Sequence, residues 1–204
     1  MGIISVDLFI TLDGVYQAPG GPDEDRSDGF EFGGWQGAYF DEESGAVISA
    51  GIDRMDALLL GRRTYDIFAS YWPQQSDEIP IAKKFNAIDK FVVSHSLTEA
   101  AWAGTTVLSE LAQAAALKDK YTDIHVVGSG DLARSLLRAE IADRLNLYLY
   151  PLTLGSGKRL FTERTGVPAA FRLAQPPVAF PKGAIALTYE RAGQPVTGFD
   201  MGAA

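Results

Sequence analysis

An α/β fold with a mostly parallel central sheet and an antiparallel C-terminal end is the class this sequence predicts, on three observations. Strand-like apolar runs alternate with helix-like runs through the first two thirds of the chain, which is the pattern of parallel βαβ units. The final third changes to strand candidates joined by Pro- and Gly-rich turns, which is the pattern of antiparallel addition. With 204 residues, 47% apolar and 22% charged, the chain has the size and composition of one globular domain with a full core.

The elements follow in order. "IISVDLFI", from Ile3 to Ile10, is the first strand, and Asp13-Gly14 in "TLDG" marks the turn after it. Residues 15 to 38 are crowded with Gly, Pro and Asp, and a loop of that length predicts a lid or a binding loop. A helix is expected over 41–54, with Ala46, Val47, Ala50 and Met55 sharing one side. "DALLLG" predicts a short buried strand, and "RRTYDIFASYW" a helix stopped by Pro73. "KFVVSHSL" and "TTVLS" are the next strands. Ser109 is then expected to cap a helix written "ELAQAAALKDKY". "DIHVVG" and "DLARSLLRAEI" repeat the strand–helix alternation, and "RLNLYLYPLTLG", "AFRLAQPPVAF" and "GAIALTYERA" close the chain as strands. One domain is expected over 1–191, with a loosely ordered tail at 192–204.

Composition excludes several functions. A net charge of −8 argues against sequence-independent binding to nucleic acid or to an anionic membrane, since both need basic surface. The absence of cysteine removes disulfides, thiolate catalysis and Cys-bound zinc, and the two histidines lack metal-ligand spacing. "MGIISVDLFI" has no basic segment ahead of its apolar run, and no run reaches membrane-spanning length, so a cytoplasmic protein is expected.

The chemistry is suggested at three strand ends. In an open parallel sheet, ligands sit beyond the carboxyl ends of the strands. Gly61-Arg62-Arg63-Thr64 follows "ALLL", Ser94-His95-Ser96 follows "FVV", and Gly128-Ser129-Gly130 follows "HVV" and opens a helix. The glycines let a ligand approach the main chain, and a helix N-terminus favours an anion. Arg62 and Arg63 oppose the dipole of their own helix, so an anion-binding use is the better account of them. Together these groups could hold the phosphates of a dinucleotide, with an arginine on an extra 2′-phosphate. His125 reads as a core or edge residue. Lys158 and Arg159 in "LGSGKRLF" read either as contacts or as solvated charges. Trp35, Tyr39, Phe40 and Trp72 read as an aromatic substrate wall or as core.

The segments "ISVDLFITLDGVY", "LLLGRRTYDIF", "FVVSHSL", "IHVVGSGDLARSLL" and "LYPLTLGSGKRLF" resemble, in order, the dihydrofolate-reductase-like superfamily. The likeness is to the branch containing the C-terminal reductase domain of the bifunctional riboflavin-biosynthesis deaminase/reductase, and it covers most of residues 3 to 190. It implies a dihydrofolate-reductase-like three-layer α-β-α fold, NADPH as cofactor and a homodimer. On matching positions, Gly61, Arg62, Arg63 and Thr64 look like the adenosine-phosphate site. Ser94, His95 and Ser96 look like a second contact to that half of the cofactor. Val127, Gly128, Ser129, Gly130, Asp131 and Leu132 look like the pyrophosphate cradle. The backbone around Phe9 and Tyr16 would meet the nicotinamide, under a mobile loop at 14–38. Folate reductases carry a substrate-orienting carboxylate at the start of the next helix. Asp41 and Glu42 lie near that place without a clean match in spacing, and Asp41 reads equally as a helix N-cap. The chain has neither the length nor the cysteines for the zinc deaminase domain usual in the riboflavin pathway. The expected function is NADPH-dependent hydride transfer to a small heterocyclic or carbonyl/imine substrate. The alternatives are an NADP(H)-binding sensor without turnover, or a stand-alone pyrimidine or folate reductase.

Overall fold

The apolar runs become strands. The computed structural model describes residues 1–162 and 168–200. Its strands are β1 (Ile3–Thr11), β2 (Ala57–Gly61), β3 (Asp89–Val93), β4 (Thr105–Leu108), β5 (Asp123–Val127), β6 (Arg144–Tyr150), β7 (Phe171–Leu173), β8 (Val178–Ala179) and β9 (Ile185–Arg191). They form one sheet in the order β4-β3-β2-β5-β1-β6-β9-β7, with β8 also on β9. β1 to β6 pair in parallel, whereas β9 runs antiparallel to β6, β7 and β8. The helices are α1 (Glu42–Arg54), α2 (Arg62–Tyr71), α3 (Pro80–Ala87), α4 (Ala112–Ala116) and α5 (Gly130–Arg138). A mostly parallel sheet with an antiparallel end, flanked by helices, is the arrangement expected from the sequence. No described helix is long and apolar enough to cross a membrane.

The period-2 alternation of each strand divides its side chains between two cores. Ile4, Val6, Leu8 and Ile10 of β1 pack with Ala57, Leu59, Ile124 and Val126 against Leu132, Leu136 and Leu137 of α5. On the opposite face Leu58, Leu60 and Val92 meet Met55, Tyr65, Phe85 and Trp102. Each fully buried Leu or Ile contributes about 1.5–3 kcal/mol relative to an exposed one. Lys90 is wholly buried within this second layer. Its ammonium donates to the carbonyls of Phe85, Asn86 and Ile88 and lies over the Trp102 ring, so it caps the end of α3.

Several elements differ from the pattern reading. The helix expected from Ser109 is shorter: α4 begins with Leu111 as N-cap and passes into a 3-10 turn at Leu117–Asp119. Gln113 takes the capping work there, its Oε1 accepting from Glu110 N–H at 2.9 Å. Pattern reading passed over α3, whose signal is Pro80 in its first turn, where a missing N–H costs nothing. On α1, Ala46, Val47 and Ala50 face solvent, and of its residues only Ser44 is buried. β6, which carries Tyr148 and Tyr150, is an inner strand whose two edges are taken by β1 and β9.

One polar group interrupts the sheet. Asp7 of β1 accepts from Asn146 Nδ2 of β6 at 2.7 Å, and its other oxygen lies 2.6 Å from His125 Nδ1 of β5. His125 is 3% exposed, and its Nε2 lies 3.1 Å from Asp123 Oδ1 without hydrogen-bond alignment. Burial alone would depress the imidazole, but the charge of Asp7 and the contacts with both carboxylates outweigh it and hold the pKa up at about 10. The folded chain therefore keeps a proton that the unfolded chain releases near 6.5. This contribution to stability is whole below about pH 6.5 and is lost as pH rises towards 10. Melting temperatures of the wild type and of His125→Asn, measured from pH 6 to 10.5, should converge as pH rises. A difference independent of pH would contradict the charged pair.

Candidate functional site

Because β1, β2, β3 and β5 are parallel, the segments that follow them emerge on one edge of the sheet. There Gly61 stands opposite Val93, and Asp7 opposite Val127. β2 and β5 pair only at Ala57–Ile124 and Leu58–His125, and they diverge beyond. The gap is bridged by the Gly61 N–H, which donates to Ser129 Oγ at 2.9 Å. Gly128 and Ser129 take consecutive left-handed conformations, φ 65° and 58°, and turn the chain sharply from β5 into α5. A serine in that region is strained, and the bond from Gly61 is what holds it. With its hydroxyl spent there, Ser129 does not cap α5, and no side chain among the described residues takes its place. The first N–H groups of α5 thus lack a side-chain acceptor at the point where the helix dipole is positive.

The sequence-predicted residues divide into two groups. Gly61, Thr64, Val127, Gly128, Ser129, Gly130, Asp131 and Leu132 come together around the turn: a Cβ on Gly128 would touch the Thr64 methyl at 3.6 Å, and one on Gly61 would touch Leu132 and Ser129 at 3.4 Å. Leu132 belongs to the core, whereas Asp131 is exposed and pairs with Arg134. Arg62 pairs with Asp66 at 2.8 Å, and Arg63 donates to Ser27 Oγ at 3.1 Å. At the end of β3, Ser94 Oγ accepts from the N–H groups of Ser96 and Leu97, while His95 and Ser96 are exposed. Tyr16 reaches the turn with its ring, which covers Gly130 so closely that a Cβ there would overlap it. Burial raises the Tyr16 hydroxyl's pKa against the opposing fields of Arg134 and Arg63.

The second group lies on the α1 side of the sheet. The Phe9 ring packs 5.2 Å from Tyr148 and 6.2 Å from Tyr150. Trp35 and Tyr39 close on Tyr150 at 5.3 and 6.1 Å, and Gln36 donates to the Tyr150 hydroxyl, whose pKa burial pushes up to about 12. The four candidate wall aromatics are therefore split. Trp35 and Tyr39 join this cluster, Phe40 is exposed, and Trp72 packs with Phe68 and Phe85 in another core. Asp41 is the N-cap of α1 in a capping box with Ser44, its Oδ1 accepting from Ser44 N–H at 2.8 Å and its Oδ2 from Lys182 N–H at 3.3 Å. These backbone bonds lower its pKa. Glu42 is exposed in the first turn.

Pattern reading missed the residues that bind the long loop down. Gln17 Nε2 donates to the carbonyls of Asp25 and Ser27, its Oε1 accepts from Lys158 N–H, and Trp35 Nε1 donates to its carbonyl. Lys158 Nζ contacts Asp25 Oδ2 at 2.5 Å and Ser27 Oγ at 2.6 Å. Burial works against the Asp25 carboxylate, but Lys158 and Ser27 lower its pKa. Asp13 is held at about 2: burial opposes ionisation, and Thr11, the N–H groups of Leu154 and Gly155, and Arg159 overcome it. Arg134 donates to the Arg159 carbonyl at 2.8 Å. The loop and residues 154–159 thus bring Lys158 and Arg159 up beside Arg63 and Arg134. The only sequence signal for this was the unassigned pair Lys158-Arg159. Among the described residues, no group of three or more His, Asp or Glu is arranged to hold a metal ion.

Comparisons with known proteins agree with this architecture. The chain is 25% identical over 167 residues to the uncharacterized protein YyaP of Bacillus subtilis (strain 168), covering 78% of this chain and 80% of that one. A solved structure named for riboflavin biosynthesis, from Shewanella sp. PV-4, superposes with TM-score 0.64 at 21% identity, covering 93% of this chain and 99% of that one. A pyrimidine reductase-like protein of Corynebacterium diphtheriae gives 0.59 at 12% identity, covering 94% and 92%. Dihydrofolate reductase from Enterococcus faecalis, in complex with NADP(H) and RAB-propyl, gives 0.57 at 17%, covering 93% and 96%. At these identities the structures speak for the fold, which is of the reductase type. The family described as the RibD C-terminal domain matches residues 3–176, and with the glycine turn, the split between β2 and β5 and the antiparallel end all in place, the chain belongs to that family.

Proposed function

We propose that this protein is an NADPH-dependent reductase that transfers hydride to a small heterocyclic or carbonyl/imine substrate. The observation that carries the reading is the left-handed Gly128-Ser129 turn, which delivers the uncapped N-terminus of α5 into the split between β2 and β5. A site with free backbone donors, a positive dipole end and Arg62, Arg63 and Arg134 nearby suits the phosphates of a dinucleotide. The E. faecalis enzyme of the same fold binds NADP(H), which adds support. The residues present fit such a group once the Tyr16 ring leaves Gly130, because that ring covers the face a phosphate would use.

In this reading the turn holds the pyrophosphate on backbone N–H groups, and Arg62 and Arg63 take the additional phosphate. Ser94, His95 and Ser96 border the adenosine half. When bound, the nicotinamide supplies the hydride. The chain's own part is to orient the acceptor against Phe9 and Tyr148, to cover both with residues 14–38, and to exclude water.

Three measurements test this. Replacing Arg62 and Arg63 together by Ala should weaken NADPH by about 2 kcal/mol or more, roughly thirtyfold, with NADH little changed. Equal losses for both cofactors in a fluorescence titration would remove the 2′-phosphate assignment.

Gly130 and Tyr16 can be separated by a double-mutant cycle. Gly130→Ala should weaken NADPH and lower the melting temperature, because the new methyl meets the Tyr16 ring. Adding Tyr16→Ala should restore the melting temperature and leave the cofactor defect. Recovery of both quantities together would place the whole effect on packing.

Turnover of dihydrofolate should be negligible. With Asp41 committed to capping α1 and Glu42 exposed, neither is presented as a pterin-orienting acid. NADPH oxidation with dihydrofolate should be near background in the wild type, Asp41→Asn and Glu42→Gln alike. Robust wild-type turnover lost in one variant would identify the acid.

A further inference from the structure

We propose that Asp7 is the carboxylate that receives the hydride acceptor, as a fixed hydrogen-bond acceptor for an N–H or O–H group of the substrate in the cleft between α1 and the sheet. The proposal rests on the reductase reading and specifies a substrate contact of the same site. It starts from an asymmetry between the two faces of β1. On the α5 side Ile4, Val6, Leu8 and Ile10 are at most 6% exposed. On the α1 side the Asp7 side chain is 17% exposed, and Phe9, Asn146 and Tyr148 remain partly open. β1 lies inside the sheet, between β5 and β6, so such exposure requires the helix layer to stand off there. α1 buries only Ser44, and at Gly51 it presents bare backbone to the Tyr148 hydroxyl, which would lie 3.8 Å from a Cβ at that position.

Asp7 is also in the right place relative to the turn. Its backbone carbonyl accepts the Gly128 N–H at 3.1 Å, while its carboxylate points to the face that carries Phe9. A cofactor on the turn and an acceptor against Phe9 would therefore meet beside it. Its oxygens are held by Asn146 at 2.7 Å and His125 at 2.6 Å. A carboxylate offers about four lone-pair sites, so roughly two remain for a ligand. The His125 cation balances its charge, and Asp123, Arg54 and Arg144 are the other charges around that pair. At the N-terminus of α1, by contrast, both Asp41 oxygens are engaged by backbone N–H groups. An acceptor without donors would desolvate Asp7 and give nothing back, so quinone-like substrates are disfavoured against amide-, amino- or hydroxyl-bearing ones.

The test uses 2-aminopyrimidin-4-one, which carries N–H donors, and menadione, which carries none. In wild-type protein labelled with ¹³C at aspartate carboxyls, the Asp7 resonance should move on saturation with the aminopyrimidinone. Asp7→Asn should weaken that probe at least tenfold and leave the NADPH dissociation constant within twofold. Asn146→Ala, which keeps the charged pair, should weaken the probe severalfold and serves where Asp7→Asn fails to fold. The idea is overturned by an unmoved carboxyl resonance, by probe affinity unchanged in folded variants, by equal binding of menadione, or by no probe binding at millimolar concentration. The NADPH titration reads the cofactor separately. Failure of NADPH together with Asp7-dependent probe binding would reject the cofactor and keep Asp7.

Discussion

Asp7 stands on an inner strand of a parallel sheet, where an unpaired carboxylate would be costly, and groups from both neighbouring strands are arranged to pair it. This one requirement fixes much else. A slip of one residue would send Asp7 into the layer of Leu132 and Leu136 and turn Val6 and Leu8 towards the cleft. The register of β1 against β5 and β6 is therefore set by charge as well as by apolar pattern. Because the Asp7 carbonyl also receives the Gly128 N–H, that register determines where the glycine turn begins and where α5 points.

Much of the fold was legible because its signals are local. The strand "DALLLG", the turn at Gly128 to Gly130 and the antiparallel end each announce themselves within a few residues. α3 and the true extent of α4 were harder, because each helix end is completed by a side chain outside the expected caps, Lys90 from the following strand in one case and Gln113 in place of Ser109 in the other. At the site, the strand-end glycines and arginines were readable from composition and order. Asp7, His125 and Asn146 were not, since they lie 118 and 139 residues apart and no motif joins them. The one available sign was a carboxylate inside "IISVDLFI", a charge where an inner strand should carry none.

The cations near the turn serve two masters. Lys158 and Arg63 hold Asp25 and Ser27, so they stabilise the loop, and the same arginine borders the proposed phosphate site. An entering anion would compete with Asp25 for Arg63, 3.9 Å away, while the tighter Lys158 contact stays with the loop. Arg62, Arg63, Arg134, Lys158 and Arg159 are thus gathered at this edge of a chain whose overall charge is −8, each paired with an aspartate.

The wiring of the loop also bears on how the chain matures as it is made. β1 leaves the ribosome well before its two partners, β5 and β6, which end at Val127 and Tyr150. The loop after it is tied through Asp13 and Gln17 to Arg159 and Lys158, more than 140 residues later. β2, β3 and β4, by contrast, pair in sequence order and can assemble early. During synthesis β1 must therefore wait unpartnered until β5 and β6 have been made, a long non-local closure that slows folding and leaves an aggregation-prone segment exposed. The charge in its middle, which the finished sheet pairs with His125 and Asn146, also interrupts that waiting strand, as a gatekeeper does in a segment that would otherwise pair with the wrong chain.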